Sequence, residues 1–142
     1  MKTPTPLTHS VVVTGYVYRK GRFLLLKRKN PPFIWTPPGG RLNPNEDPRS
    51  GALREIREET GLNAEIVGLV GTWFGEIAGR GPYLSLDFLA RSNSGEVRLS
   101  EEHAEYEWAT IADLEHGSPP LGGDSCSYRL EDFRKAEALL TS

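Results

Sequence analysis

Asp47 to Gly61 constrains this chain more than any other stretch, because it holds a helix between two defined stops and loads it with charge. Asp47 can accept hydrogen bonds from first-turn N–H groups, Pro48 has the φ that a first helical residue needs, and Gly61 offers the left-handed residue that ends a helix. The spacing predicts a helix of about thirteen residues between these stops. At about 100° per residue, Glu59 lies about 40° to one side of Glu55 and Glu58 about 60° to the other. Three carboxylates therefore share one arc of roughly 100° and converge on a single point. Ala52, Leu53, Ile56 and Thr60 fill the adjacent arc, the face that packs on a sheet.

Like charges at these spacings repel by a few tenths of a kcal/mol per pair. Arg54, four residues before Glu58, offsets part of this, and a divalent cation offsets more. Oxygen donors with no Cys or His nearby select a hard ion, Mg²⁺ or Mn²⁺ rather than zinc. Such an ion usually completes its shell with phosphate oxygens, so a phosphate-bearing substrate follows. An acidic helix alone is most often a solvated face. The loop ahead of it argues otherwise: Gly39 and Gly40 permit a sharp turn whose carbonyl can approach a metal, and Glu46 can reach Arg54 to tie loop to helix.

The flanks read as sheet. Val11 to Arg28 is β-branched, aromatic and aliphatic, broken by a Lys20-Gly21 hairpin turn, and Asn30 to Gly40 is irregular, proline-rich loop with room for a short extended piece. Ala64 to Ile77 reads as one or two strands, Tyr83 to Ala90 as another, and Tyr106 to Ala109 as a short one before a helical turn at Ile111 to Leu114. Gly117 to Ser125 is loop, and Leu130, Phe133, Ala136 and Leu140 recur at helical spacing. Strands, helix, strands, helix make an α/β (α+β) sandwich, a mixed β-sheet between α-helices.

The 142 residues suit a single domain over 1–142. Seventeen basic against nineteen acidic residues give a net charge of -2, without the basic excess that binds a nucleic acid polymer. One cysteine, Cys126, excludes an internal disulfide or a thiolate cage, and Met1 to Ser10 lacks the apolar core of a signal peptide. A cytoplasmic location and no membrane partner are the expectation.

Gly40 to Leu62 resembles the Nudix box: Gly, five residues, Glu, seven residues, Arg-Glu, an aliphatic, any residue, Glu-Glu, any residue, Gly, an aliphatic. Gly40, Glu46, Arg54, Glu55, Ile56, Glu58, Glu59, Gly61 and Leu62 match every defined position. Pro37 departs from the aliphatic residue usual ahead of Pro-Gly-Gly, which removes a backbone donor without touching the ligands. The resemblance implies the sandwich fold and a MutT-like hydrolase that splits a diphosphate linkage in a nucleoside diphosphate joined to another moiety. It implies magnesium ligands at Glu55, Glu58 and Glu59, joined by the Gly40 carbonyl, with Arg54 orienting the acidic side chains. A further glutamate six residues before a tryptophan falls on Glu102, ahead of Trp108, as general base or auxiliary metal ligand.

In such chemistry metal ions neutralise charge on the phosphates and acidify a bound water, whose proton a carboxylate takes. Ser125, Cys126 and His116 form no recognisable nucleophilic triad. Arg28 ends an apolar strand either as a phosphate contact or as a solvated terminus. Phe33, Trp35, Trp73 and Phe74 are core residues or base-stacking surfaces. A non-catalytic, nucleotide-sensing module is the alternative, disfavoured because a pure binder has no need of three intact glutamates. Ala78 and Tyr83 do not fit the marks of ADP-ribose or diadenosine polyphosphate specialists, so a small nucleotide, a nucleoside triphosphate or a nucleotide sugar, is the favoured substrate. The oligomeric expectation is monomer or homodimer.

Overall fold

The computed structural model describes residues 7–77, 79–122 and 128–141. Strands β1 (Ser10–Arg19) and β2 (Arg22–Arg28) form the expected hairpin. Lys20 and Gly21 both have positive φ, 47° and 83°, which a two-residue hairpin turn requires. Two short strands, β3 (Trp35–Thr36) and β4 (Gly39–Arg41), stand within and at the end of the proline-rich stretch, where one short extended piece was expected. Helix α1 (Pro48–Thr60) has thirteen residues between the anticipated caps: Asp47 accepts from the N–H groups of Arg49 and Ser50, and Gly61 has φ 74°. Then follow β5 (Glu65–Ile77), β6 (Arg80–Arg91), β7 (His103–Ala109), α2 (Ile111–Glu115) and α3 (Leu130–Ala138). Strand β7 begins three residues earlier than Tyr106, since its charged first half alternates without enough apolar signal to be read as strand. Ala78, Ser125 and Cys126 lie outside the described residues.

The sheet runs β3-β2-β1-β6-β5, with β4 added to β1 and β7 to β2. Strands β1 and β6 are parallel from Ser10 against Tyr83 to Tyr18 against Arg91, and the other pairs are antiparallel. The period of two along each strand serves two helical layers. On β2, Leu24 and Leu26 pack in a cluster with Ile56 of α1, while Phe23 and Leu25 pack with Phe133 and Ala136 of α3. That explains why four consecutive residues, Phe23 to Leu26, are all fully buried. Gly15 sets the depth of α1, because a Cβ there would stand 2.6 Å from Ile56 Cδ1. Burying Ile56 stabilises this layer by about 1.5–3 kcal/mol.

The site depends on where β1 and β2 part. They pair only at Tyr18–Phe23 and Arg19–Arg22, and beyond that rung the segment 35–41 enters the fork. It pairs with β2 through β3 and with β1 through β4, and the Gly15 N–H donates to the Pro38 carbonyl at 2.9 Å. The glycine pair is thereby held beside α1.

Candidate active site

Arg54 organises the acidic helix. Its guanidinium makes five hydrogen bonds, as many as it has N–H groups. Two go to the Glu46 carboxylate at 2.7 and 2.9 Å, one each to Glu55 and Glu58 at 3.0 and 3.1 Å, and one to the Arg41 carbonyl at 3.0 Å. Glu46 also accepts from the Asn43 N–H at 3.0 Å. The Arg54 hydrogen bonds, with that N–H, hold the Glu46 carboxyl down to about 2. The same pairing makes Arg54 hold its proton more firmly than a free arginine. The reach of Glu46 to Arg54, read from the sequence, is the bond that fastens loop to helix.

The carboxylates do not share one environment. Glu59 is buried, 6% exposed, and its Oε1 accepts from the Gly39 N–H at 2.8 Å. Burial pushes its carboxyl up to about 8; the Gly39 bond works against this, while the charges of Glu55, Glu102 and Glu58 add to it. Glu55 lies under Gly40 and is raised by burial, against the lowering effect of Arg54. Glu58 stands on the exposed flank, its side chain 58% exposed and paired with Arg54. Helical angle places the three on one arc, but depth along that arc differs.

A cavity of about 600 Å³ opens at the fork. Gly39, Gly40, Glu59, Glu102 and His103 line one part of it, and Arg28, Arg41 and Arg80 also face it. Of the anticipated residues, Gly40, Glu59, Glu102 and Arg28 meet at this cavity; Glu55 and Glu58 are held through Arg54 beside it. Glu102 is exposed and sits in the turn before β7, where its carbonyl accepts from the Lys29 N–H at 3.0 Å. The turn is therefore anchored to the end of β2. Phe33, Trp35, Trp73 and Phe74 do not line the cavity; among the described residues the rings that do include Tyr83 and Tyr128. Tyr128 OH lies 3.0 Å from Thr14 Oγ1 on the cavity wall.

The residue that sequence reasoning missed is His103. It is 9% exposed, and one ring nitrogen lies within 4.8 Å of carboxylate oxygens of Glu59 and Glu102. Burial and the nearby Arg28 lower its affinity for a proton, against the pull of Glu102. Its adjacency to Glu102 was the available signal, but only the β2–β7 pairing, with Arg28 opposite His103, brings it to the acidic helix. Arg41 and Arg80 were likewise invisible as cavity residues.

An acidic helix end facing arginines across one cavity suits a phosphate chain carried with a cation, and the layers around it are a mixed sheet between helices. A family model described as a NUDIX domain matches residues 8–126. The chain belongs to the Nudix family and is a hydrolase. It is 34% identical over 105 residues to the asymmetrical bis(5'-nucleosyl)-tetraphosphatase of Caenorhabditis elegans, covering 68% of this chain and 76% of that one. It is 35% identical over 106 residues to a MutT-like protein of Streptomyces ambofaciens, covering 75% and 67%. An ADP-ribose pyrophosphatase of Methanocaldococcus jannaschii is 32% identical over 108 residues, covering 74% and 64%. Among solved structures, a C. elegans Ap4A hydrolase binary complex superposes with a TM-score of 0.72 at 30% identity, covering 93% of this chain and 98% of that one.

Proposed function

We propose that the protein hydrolyses a diphosphate linkage in a nucleoside diphosphate joined to another moiety, using Mg²⁺ or Mn²⁺. The observation that carries this reading is the meeting of Glu59, Glu102 and the Gly39-Gly40 backbone on a cavity that Arg28, Arg41 and Arg80 also face. The donor set fits a hard divalent ion: carboxylates of Glu55, Glu58, Glu59 and Glu102, with Gly40 lining the same cavity. Such an ion supplies charge neutralisation on the phosphates and a more acidic water. The chain's own groups do the rest. Arg54 fixes Glu55 and Glu58, the Gly39 N–H fixes Glu59, and Arg28 contacts a phosphate oxygen. Glu102, open to the cavity, accepts the proton of the attacking water or ligates the ion.

A cavity of about 600 Å³ is in the range of small-molecule sites, about 300–1,000 Å³, and supports one nucleotide as the bound unit. We favour a nucleoside triphosphate or a nucleotide sugar. Among the relatives' names, ADP-ribose falls within the nucleotide-sugar class, and a dinucleoside tetraphosphate, whose second nucleoside would extend beyond the cavity, lies outside it. No helix among the described residues is long and apolar enough to cross a membrane. We place the enzyme in the cytoplasm, as a single domain and as a monomer or homodimer. Mass-spectrometric product analysis over a broad nucleotide library tests the substrate. A kcat/KM far higher for a dinucleoside polyphosphate than for every mononucleotide overturns the choice.

A further inference from the structure

We infer that His103 supplies a ring nitrogen to a position for one divalent transition-metal ion, shared with Glu59 and Glu102. The inference rests on the metal-assisted reading above and adds to it a ligand and an ion preference. One ring nitrogen of His103 and one carboxylate oxygen from each glutamate all lie within 4.8 Å of one another. Three ligands spread evenly around one small divalent ion stand about 3.7 Å apart for bonds of about 2.1–2.2 Å. The exposed Glu102 side chain has to draw in toward the other two for all three to share one ion.

A second observation points the same way. The ring is 9% exposed, and Nδ1 is buried without a hydrogen-bond partner among the described residues. Leaving such a nitrogen unpaired is unfavourable, and a neutral imidazole has a lone pair that a cation takes. The backbone holds the pair of donors in place: Glu102 occupies the turn ahead of β7, and His103 is the first residue of that strand, opposite Arg28 of β2.

The ion preference follows from the donor. Mg²⁺ takes oxygen ligands and keeps its waters, whereas an imidazole favours transition ions, with affinity rising from Mn²⁺ to Co²⁺. The hard-ion expectation held for donors without a histidine nearby. The fold brings one in, so Mn²⁺ should bind more tightly than Mg²⁺.

Pulsed electron paramagnetic resonance on the Mn²⁺-loaded full chain reads nitrogen nuclei bound to the ion. The wild type should show ¹⁴N modulation that converts to a ¹⁵N pattern when histidine alone is labelled. The other histidines, His9 and His116, are outside the cluster, so the label reports on His103. His103→Gln should lose the modulation and bind Mn²⁺ about 10-fold or more weakly, with a much smaller change for Mg²⁺. Mn²⁺ bound without nitrogen modulation, or modulation retained in His103→Gln, overturns the role of His103 and leaves the carboxylate site standing. No Mn²⁺ binding at all removes both readings. The labelled wild type decides the matter even if the variant does not fold.

Discussion

The backbone N–H of Gly39 donates to Glu59 Oε1 at 2.8 Å, joining the strand that carries the glycine pair to the last turn of a helix twenty residues on. Glu59 is nearly sealed from solvent, so this bond is part of what makes a buried carboxyl tolerable there. Strand β4 and the acidic end of α1 behave as one unit, and a disturbance of either reaches the other.

Gly40 tests that unit. A Cβ at this position would stand 2.7 Å from Glu55 Oε1 and 2.8 Å from Oε2. Gly40→Ala should displace the carboxylate and lower kcat by about 10-fold or more. Gly71→Ala, where a Cβ meets nothing within 4 Å, should leave kcat unchanged. Equal activity in both variants would remove the close approach from the account.

Arg54→Ala should lower stability and activity together. It leaves Glu46, Glu55 and Glu58 without the cation that pairs them, a loss of about 1–3 kcal/mol given that the group is partly exposed. Arg54→Lys should recover little, because an ammonium cannot reproduce the two-pronged bond to Glu46. Thermal denaturation and steady-state kinetics on both variants check this. A wild-type melting temperature and kcat in Arg54→Ala would dismiss the role.

Acid should expose the same bond from the other partner. Glu46 has a folded pKa of about 2, below the ordinary carboxylate range near 4.5. A lowered folded value means that the contribution is complete above the unfolded pKa and is lost as pH falls through the folded one. Between pH 4.5 and about 2, wild-type stability should therefore decline more steeply than that of Glu46→Gln. Parallel stability curves across that window would show that Glu46 is not held by Arg54.

How much of this was legible beforehand follows from the range of each interaction. Asp47, Pro48 and Gly61 mark the helix ends because capping is local, and Glu46 with Arg54 lies within reach of one loop and two turns. The fork between β1 and β2 is not local, and neither is the parallel pairing of β1 with β6, whose partners stand about seventy residues apart. His103, Arg41 and Arg80 enter the cavity only through such pairings. Helical spacing gave the pairing of Glu58 with Arg54 and an angle for Glu58, but not its depth, so its exposure was hidden.

Glu102 lies at the cavity rim, and its role separates into two measurable parts. As a general base, Glu102→Gln should depress kcat by about 10² or more at saturating metal with little change in KM. As an auxiliary ligand it should instead raise the metal concentration needed for half-maximal rate. A near-neutral Glu102→Gln beside a severe Glu59→Gln would move the base onto the helix.

Turnover of diphosphate-linked nucleotides with and without the divalent ion tests the reading as a whole, using wild type and Glu58→Gln. Glu58 is largely exposed, so the variant should fold normally. The wild type should release a nucleoside monophosphate and its partner phosphate product with Mg²⁺ or Mn²⁺ and stop in excess EDTA, and Glu58→Gln should lose most of that rate. Full turnover in excess EDTA, undiminished turnover in Glu58→Gln, or no hydrolysis of any diphosphate-linked nucleotide would contradict it.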